Sequence, residues 1–178
     1  ADIKNHPDAI GLQRIADITS IDLEQSITLE SLDPLRKLYR LNKLKMSGTQ
    51  IADLSPISDM RTIEVLVISN NPIEDLQQIG GLNQLKHLEF QNTPVDDLEP
   101  LTGLIHLEFL DMAGTQIKKI DELQTLTNLK QLSIFNTNVK SLSPLENLTS
   151  LKSIKCYNTK LNERRVRKFQ EVRRWLSA

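Results

Sequence analysis

The sequence predicts an α/β solenoid: short coils stacked edge to edge, a concave parallel β-sheet, a 3₁₀ or extended convex side, and a helix capping the carboxyl end. Three observations carry this prediction. The tetrapeptide GTQI stands at Gly48–Ile51 and again at Gly114–Ile117, sixty-six residues apart, or three periods of twenty-two. Seven columns recur at that period through six units between Leu32 and Leu161, and all forty-two positions are apolar in a chain that is only 39% apolar. Within a unit, the apolar spacing changes from two to three. A fixed period of this size is the mark of a stacked-repeat architecture.

Each part of the unit follows from its spacing. Leu66-Val67-Ile68 and Leu88-Glu89-Phe90 alternate with period two, as a short strand with one buried face does. Leu98, Leu101, Leu104 and Leu107 recur every third residue, which suits a tight 3₁₀ or extended segment. One unit cannot bury its own apolar edge, so units stack, and their strands form a parallel sheet stepping by roughly 4.8 Å. Just before a column of Thr49, Asn71, Thr93, Thr115, Thr137 and Thr159 stand Gly48, Asn70, Asn92, Gly114, Asn136 and Asn158. Gly and Asn best tolerate positive φ, so a left-handed residue is expected at every corner. Asp53, Asp75 and Asp97 then open the convex segments as N-caps would. A metal-binding Asp ladder would need the same column throughout, and it fails at Lys119 and Ser141.

The segments LKHLEFQNTPV and LEFLDMAGTQI, with DLSPI and DLEPL after the corners, resemble the leucine-rich repeat, and most closely its bacterial internalin-type class of twenty-two residues. The resemblance runs from Leu32 to Leu161 and implies a right-handed, horseshoe-like solenoid. Where the family usually has Asn, this chain has Thr in five of six units. A hydroxyl offers fewer donors and acceptors than an amide.

The expected organisation is an irregular amino-terminal repeat or cap over 1–31, six regular repeats over 32–161, and a capping helix over 162–178. Leu12, Ile15, Ile18, Ile21 and Leu23 fit the repeat columns if one extra residue precedes Leu32. At the other end Asn162 is a candidate N-cap, and Val166, Phe169, Val172 and Leu176 recur at helical spacing. The helix's other face carries Arg164, Arg165, Arg167, Lys168, Arg173 and Arg174 against Glu163 and Glu171. A solvated cap face explains these charges; binding of phosphate or acidic partners is the sharper alternative.

Composition excludes several functions. A formal charge of −1 is wrong for a surface built to coat nucleic acid, which is not an expected partner. One cysteine, Cys156, allows no intramolecular disulfide, and its strand column makes it a core thiol. No run approaches the roughly 20 apolar residues that span a bilayer. His6, His87 and His106 fall in unrelated columns, and no HExxH, GxSxG or phosphate-binding Gly-rich motif occurs. No catalytic residue, cofactor, metal or small-molecule substrate is expected. Glu89 and Asp111 face the sheet surface on adjacent strands, but an open, wet face suits binding better than acid–base chemistry.

The strand residues that point away from the core line the concave side. Three of the seven aromatic residues, Phe109, Phe135 and Tyr157, fall there on successive units, where the fold requires no large ring. They are expected to form a diagonal apolar patch, with Val65 and Val67 as a second spot and His87, Glu89, Asp111 and Gln131 setting specificity. The expected function is a non-enzymatic, monomeric module binding another protein through these nine residues. The alternative is a recognition or regulatory domain of a larger intracellular protein, such as a phosphatase-type scaffold or a multidomain effector. The resemblance implies a secreted or cell-surface location; the alternative implies a cytoplasmic one.

Overall fold

A computed structural model describes residues 17–24, 29 and 31–176, with side chains as far as residue 171. Among these residues, seven strands of three residues each pair in sequence order, all parallel, in one sheet. They are β1 (Ser20–Asp22), β2 (Lys43–Lys45), β3 (Val65–Val67), β4 (His87–Glu89), β5 (Phe109–Asp111), β6 (Gln131–Ser133) and β7 (Ser153–Lys155). From β2 onward the partners are twenty-two residues apart, as Leu66 is from Leu88. Ser20 pairs with Lys43, twenty-three residues away, so the extra residue read in the first unit is real.

Between strands the chain crosses the convex side in 3₁₀ turns, at Asp33–Lys37, Ser55–Ile57, Gln77–Ile79, Glu99–Leu101, Asp121–Thr125 and Ser143–Leu145. Their N–H groups bond three residues back: Ile57 to Leu54 O at 3.0 Å, Leu101 to Leu98 O at 2.9 Å. Pro34, Pro56, Pro100 and Pro144 sit in first turns, where a missing N–H costs nothing. The carboxylates of Asp53, Asp75 and Asp97 accept the N–H of Ser55, Gln77 and Glu99 at 2.8, 3.0 and 3.1 Å. The N-cap positions themselves are Leu54, Leu76 and Leu98, so these carboxylates act one residue before an N-cap, closing Asx turns. Ser141 does the same for Ser143.

The apolar columns form one continuous core. Every column residue is buried except Leu35, Ile154, Cys156 and Leu161, which pack half-buried against the ends of the stack. All six expected corner residues have positive φ, from 50° at Asn158 to 69° at Gly48 and Gly114. Gln50, at φ 67°, adds a seventh that its residue type did not signal.

The corner column divides by residue type. Each Thr hydroxyl donates within its own unit, to the carbonyl three residues back, as Thr93 does to Phe90 O at 2.8 Å and Thr115 to Met112 O at 2.7 Å. Asn71 and Thr49 join their two units: the Asn71 amide donates to Ile68 O and Met46 O, and its Oδ1 accepts the Thr49 N–H at 2.9 Å and lies 3.2 Å from the Thr49 hydroxyl.

The ends differ. Ile21 and Leu23 pack half-buried on the core, but Ile18, expected in a core column, is exposed at the open edge of the first described unit. Leu12 and Ile15 lie outside the described residues. At the other end helix α1 (Glu163–Leu176) starts at Asn162, whose Oδ1 accepts the Arg164 N–H at 2.8 Å. Phe169 is buried in the core and Val166 half-buried, while Arg164, Arg165, Arg167 and Lys168 are exposed. The side chains of Val172, Arg173, Arg174 and Leu176 lie outside the described residues.

Candidate binding surface

Because strand side chains alternate, the first and third residue of each strand, and the one two places beyond, turn away from the core. Val67 shows this: it is 6% exposed yet does not belong to the core cluster. Its shielding comes sideways, from Lys45 and Glu89 on the flanking strands. The third-residue row is therefore not the open, wet surface the sequence suggested. Asp111, between Glu89 and Ser133 in register, is only 7% exposed, and Ser133 4%. Strands less than 5 Å apart let neighbours wall in any short side chain between them. Val65, His87, Glu89, Phe109 and Phe135 are half-buried, Gln131 is exposed, and Tyr157 is 62% exposed.

The aromatic residues do not make one diagonal patch. His87 stacks on Phe109, with ring centroids 4.2 Å apart and 3° between planes. Phe135 stacks on Tyr157 at 4.7 Å and 11°. Phe109 opens β5, whereas Phe135 follows the end of β6, so the two stacks stand at opposite ends of the strand direction. Residue spacing gave both columns; only the register (Phe109 beside Gln131) separates them. It also makes His87 part of an aromatic stack, a role unreadable from an isolated histidine.

Electrostatics distinguish the two facing carboxylates. His87 Nε2 lies 2.5 Å from Glu89 Oε1, and Gln91 Nε2 donates to Glu89 Oε2 at 3.2 Å. The hydrogen bond from His87, chiefly, holds the Glu89 carboxyl below the usual range against the opposing effect of burial; Gln91 and Lys45 assist. Asp111 moves the other way. Burial raises it most, the charge on Glu89 adds to this, and the Ala113 N–H, the Ser133 hydroxyl and Lys155 oppose. Ala113 donates to Asp111 Oδ1 at 3.1 Å. Ser133 Oγ sits near enough to favour the charged carboxylate, yet it is buried without a partner at full hydrogen-bond geometry.

Carboxylates pushed apart in this way can divide acid and base roles. Here they lie on a sheet face, and among the described residues no three His, Cys, Asp or Glu converge as metal ligands would. Burial raises the Cys156 thiol, which makes it a poorer nucleophile. Away from the sheet, Lys118, Lys140, Lys160 and Arg165 surround a shallow cleft beside the start of α1, all of them exposed. Among the described residues no helix is long and apolar enough to cross a membrane.

Comparison with known proteins agrees with this geometry. Over residues 11–178 the chain matches the family model described as a leucine-rich repeat region. No curated protein sequence matches it. Among solved structures it is similar to internalin C2 of Listeria monocytogenes, at a TM-score of 0.77 and 23% identity, covering 85% of this chain and 67% of that one. The internalin InlF of the same species gives 0.71 and 24%, covering 90% of this chain and 54% of that one. A leucine-rich repeat protein of Leptospira interrogans gives 0.74 and 16%, covering 93% and 49%. The chain thus spans about half of the latter two neighbours, and the likeness to all three is one of fold. Repeat period, sheet, corner geometry and family match agree: this chain belongs to the leucine-rich repeat family.

Proposed function

We propose that this chain is a binding module that holds a partner protein against its concave sheet face from β3 to β7. Leucine-rich repeat modules generally mediate protein–protein interaction and are generally not enzymes. The observation that carries the reading is the pair of parallel stacks, His87 on Phe109 and Phe135 on Tyr157. The hydrophobic core does not include them, so its packing offers no reason for large rings there. Preformed, partly exposed aromatic surface has lost its rotamer freedom in advance, and such residues dominate interface energy. Val65 and Gln131 lie on the same face and extend the contact.

The test uses the intact chain as an affinity bait, alongside Phe109→Ser/Phe135→Ser and a convex-side control, Thr127→Arg. With unfolding midpoints matched, a protein held by the native chain and the control is expected to be lost from the double variant. Equal retention by all three baits rejects the concave face as the binding surface.

A further inference from the structure

We propose that two copies of this chain pair antiparallel along one flank of the solenoid, the acidic half of each copy's flank against the basic half of the other's. The flank lies off the sheet, so this goes beyond the concave-face reading and does not depend on it.

The flank is the stretch between each corner and the convex segment that follows. After β2, β3 and β4 it carries Asp53, Glu74, Asp75, Asp96 and Asp97, all exposed. After β5, β6 and β7 it carries Lys118, Lys119, Lys140 and Lys160, also exposed. Arg165 joins them from the start of α1, where its guanidinium donates to Lys140 O at 3.3 Å. Equivalent places on successive coils thus change from acidic to basic once, midway along the stack. The fold does not dictate this. Asp53, Asp75 and Asp97 close turns, but Glu74 and Asp96 do not, and Lys119 stands where a carboxylate would close the next one.

A second column shows how charges are arranged when they serve the chain itself. Just before the strands, Glu64, Lys86, Glu108 and Lys130 alternate in sign from coil to coil. Lys86 meets Glu64 at 2.9 Å, and Lys130 meets Glu108 at 2.7 Å. On the flank the signs are grouped instead, and like charges repel across a step of roughly 5 Å. None of the flank side chains closes an ion pair among the described residues. The charge that relieves each half must come from another molecule.

Spacing and sign identify that molecule. The basic half offers cations at the coil step, and the acidic half offers anions in the same columns at the same step. Turned end for end, a second copy sets Asp96 over Lys118 and Glu74 over Lys140, and its own Lys118 and Lys140 meet the first copy's acids. Such an isologous contact closes on itself, so two copies pair and no more. Both arrays are held by the solenoid, so little freedom is lost on pairing, whereas a flexible acidic peptide must first be ordered. A nucleic acid would run onto the acidic half and finds no aromatic side chain among these residues to stack its bases. The monomeric state expected from the sequence then holds where salt screens the flank.

Sedimentation equilibrium of the full chain tests this at roughly 20 mM salt, where charges act beyond 10 Å, and at roughly 1 M, where screening limits them to about 3 Å. A mass of two chains is expected at low salt and of one at high salt, because exposed ion pairs are individually weak. Glu74→Lys/Asp96→Lys and Lys118→Glu/Lys140→Glu alter exposed side chains that close no turn. Each variant should stay monomeric alone, with a native circular dichroism spectrum, and an equal mixture of the two should restore the dimer. A native chain that is monomeric up to about 1 mM at low salt overturns the proposal. So does a dimer that survives high salt, a variant that dimerises alone, or a mixture that stays monomeric. A monomeric native chain that binds a glutamate-rich peptide through Lys118 and Lys140 gives the basic half another partner and likewise rejects the second copy. Phe109→Ser/Phe135→Ser should dimerise as the native chain does, so failure of the flank and failure of the concave face are told apart.

Discussion

Asn71 reaches back one full repeat to Thr49: its Oδ1 accepts the buried Thr49 N–H at 2.9 Å, while its amide donates to Met46 O at 2.8 Å. Each of the five Thr in this column bonds the carbonyl three residues back in its own unit, and of the five only Thr49 also reaches another unit, through Asn71 Oδ1. Asn71→Ala should leave a buried donor and carbonyls without this partner, at about 1–3 kcal/mol for an unsatisfied group. Asn71→Thr keeps only the local bond and should fall between Ala and the native residue. Urea unfolding of the three proteins checks this order.

The corner glycines are not equivalent. Gly48 and Gly114 share a φ of 69°, but a Cβ on Gly48 meets nothing within 4 Å. On Gly114 it would fall 2.2 Å from Asn92 Oδ1. Gly48→Ala should cost about 1–2 kcal/mol, the left-handed penalty alone. Gly114→Ala should cost more, because the Asn92 side chain, which donates to Asn70 Oδ1 at 2.9 Å, must also move. Equal losses in denaturant midpoint would show that Asn92 yields freely.

The two concave carboxylates should have opposite effects on stability as pH changes. Glu89 is depressed in the folded state, so its contribution is present above the ordinary carboxylate range and disappears as pH falls through its folded value. Asp111 is raised, so between the ordinary and the raised value the folded state holds the extra proton, and stability falls as pH rises through that window. Asp111→Asn should therefore raise the melting temperature at pH 7, with the gain shrinking as pH approaches the unfolded value of about 3.9. His87→Ala should lower it at pH 7, because Glu89 loses its principal donor. Melting curves across pH distinguish the two signs.

Among the described side chains of α1, Phe169 is the one buried in the core. Phe169→Ala should cost about 3 kcal/mol or more. In a stacked array that loss is felt first by the nearest unit. Hydrogen exchange should accelerate around β7 well before β3, and uniform acceleration would contradict a locally acting cap.

The sequence alone determined the repeat length, the strand and 3₁₀ segments, the left-handed corners and which columns fill the core. These follow from local spacing and residue type repeated at one period, and repetition multiplies a weak local signal. Tertiary structure decided what each outward residue meets. Spacing placed His87, Phe109, Phe135 and Tyr157 on the concave side, but the register between strands joined them as two stacks. Spacing likewise turned Val67 and Asp111 outward, and only the walls raised by adjacent strands closed them off from water. Core membership depends on a residue's place within its own coil. Accessibility and charge on the concave face depend on the coils to either side, whose side chains differ from unit to unit.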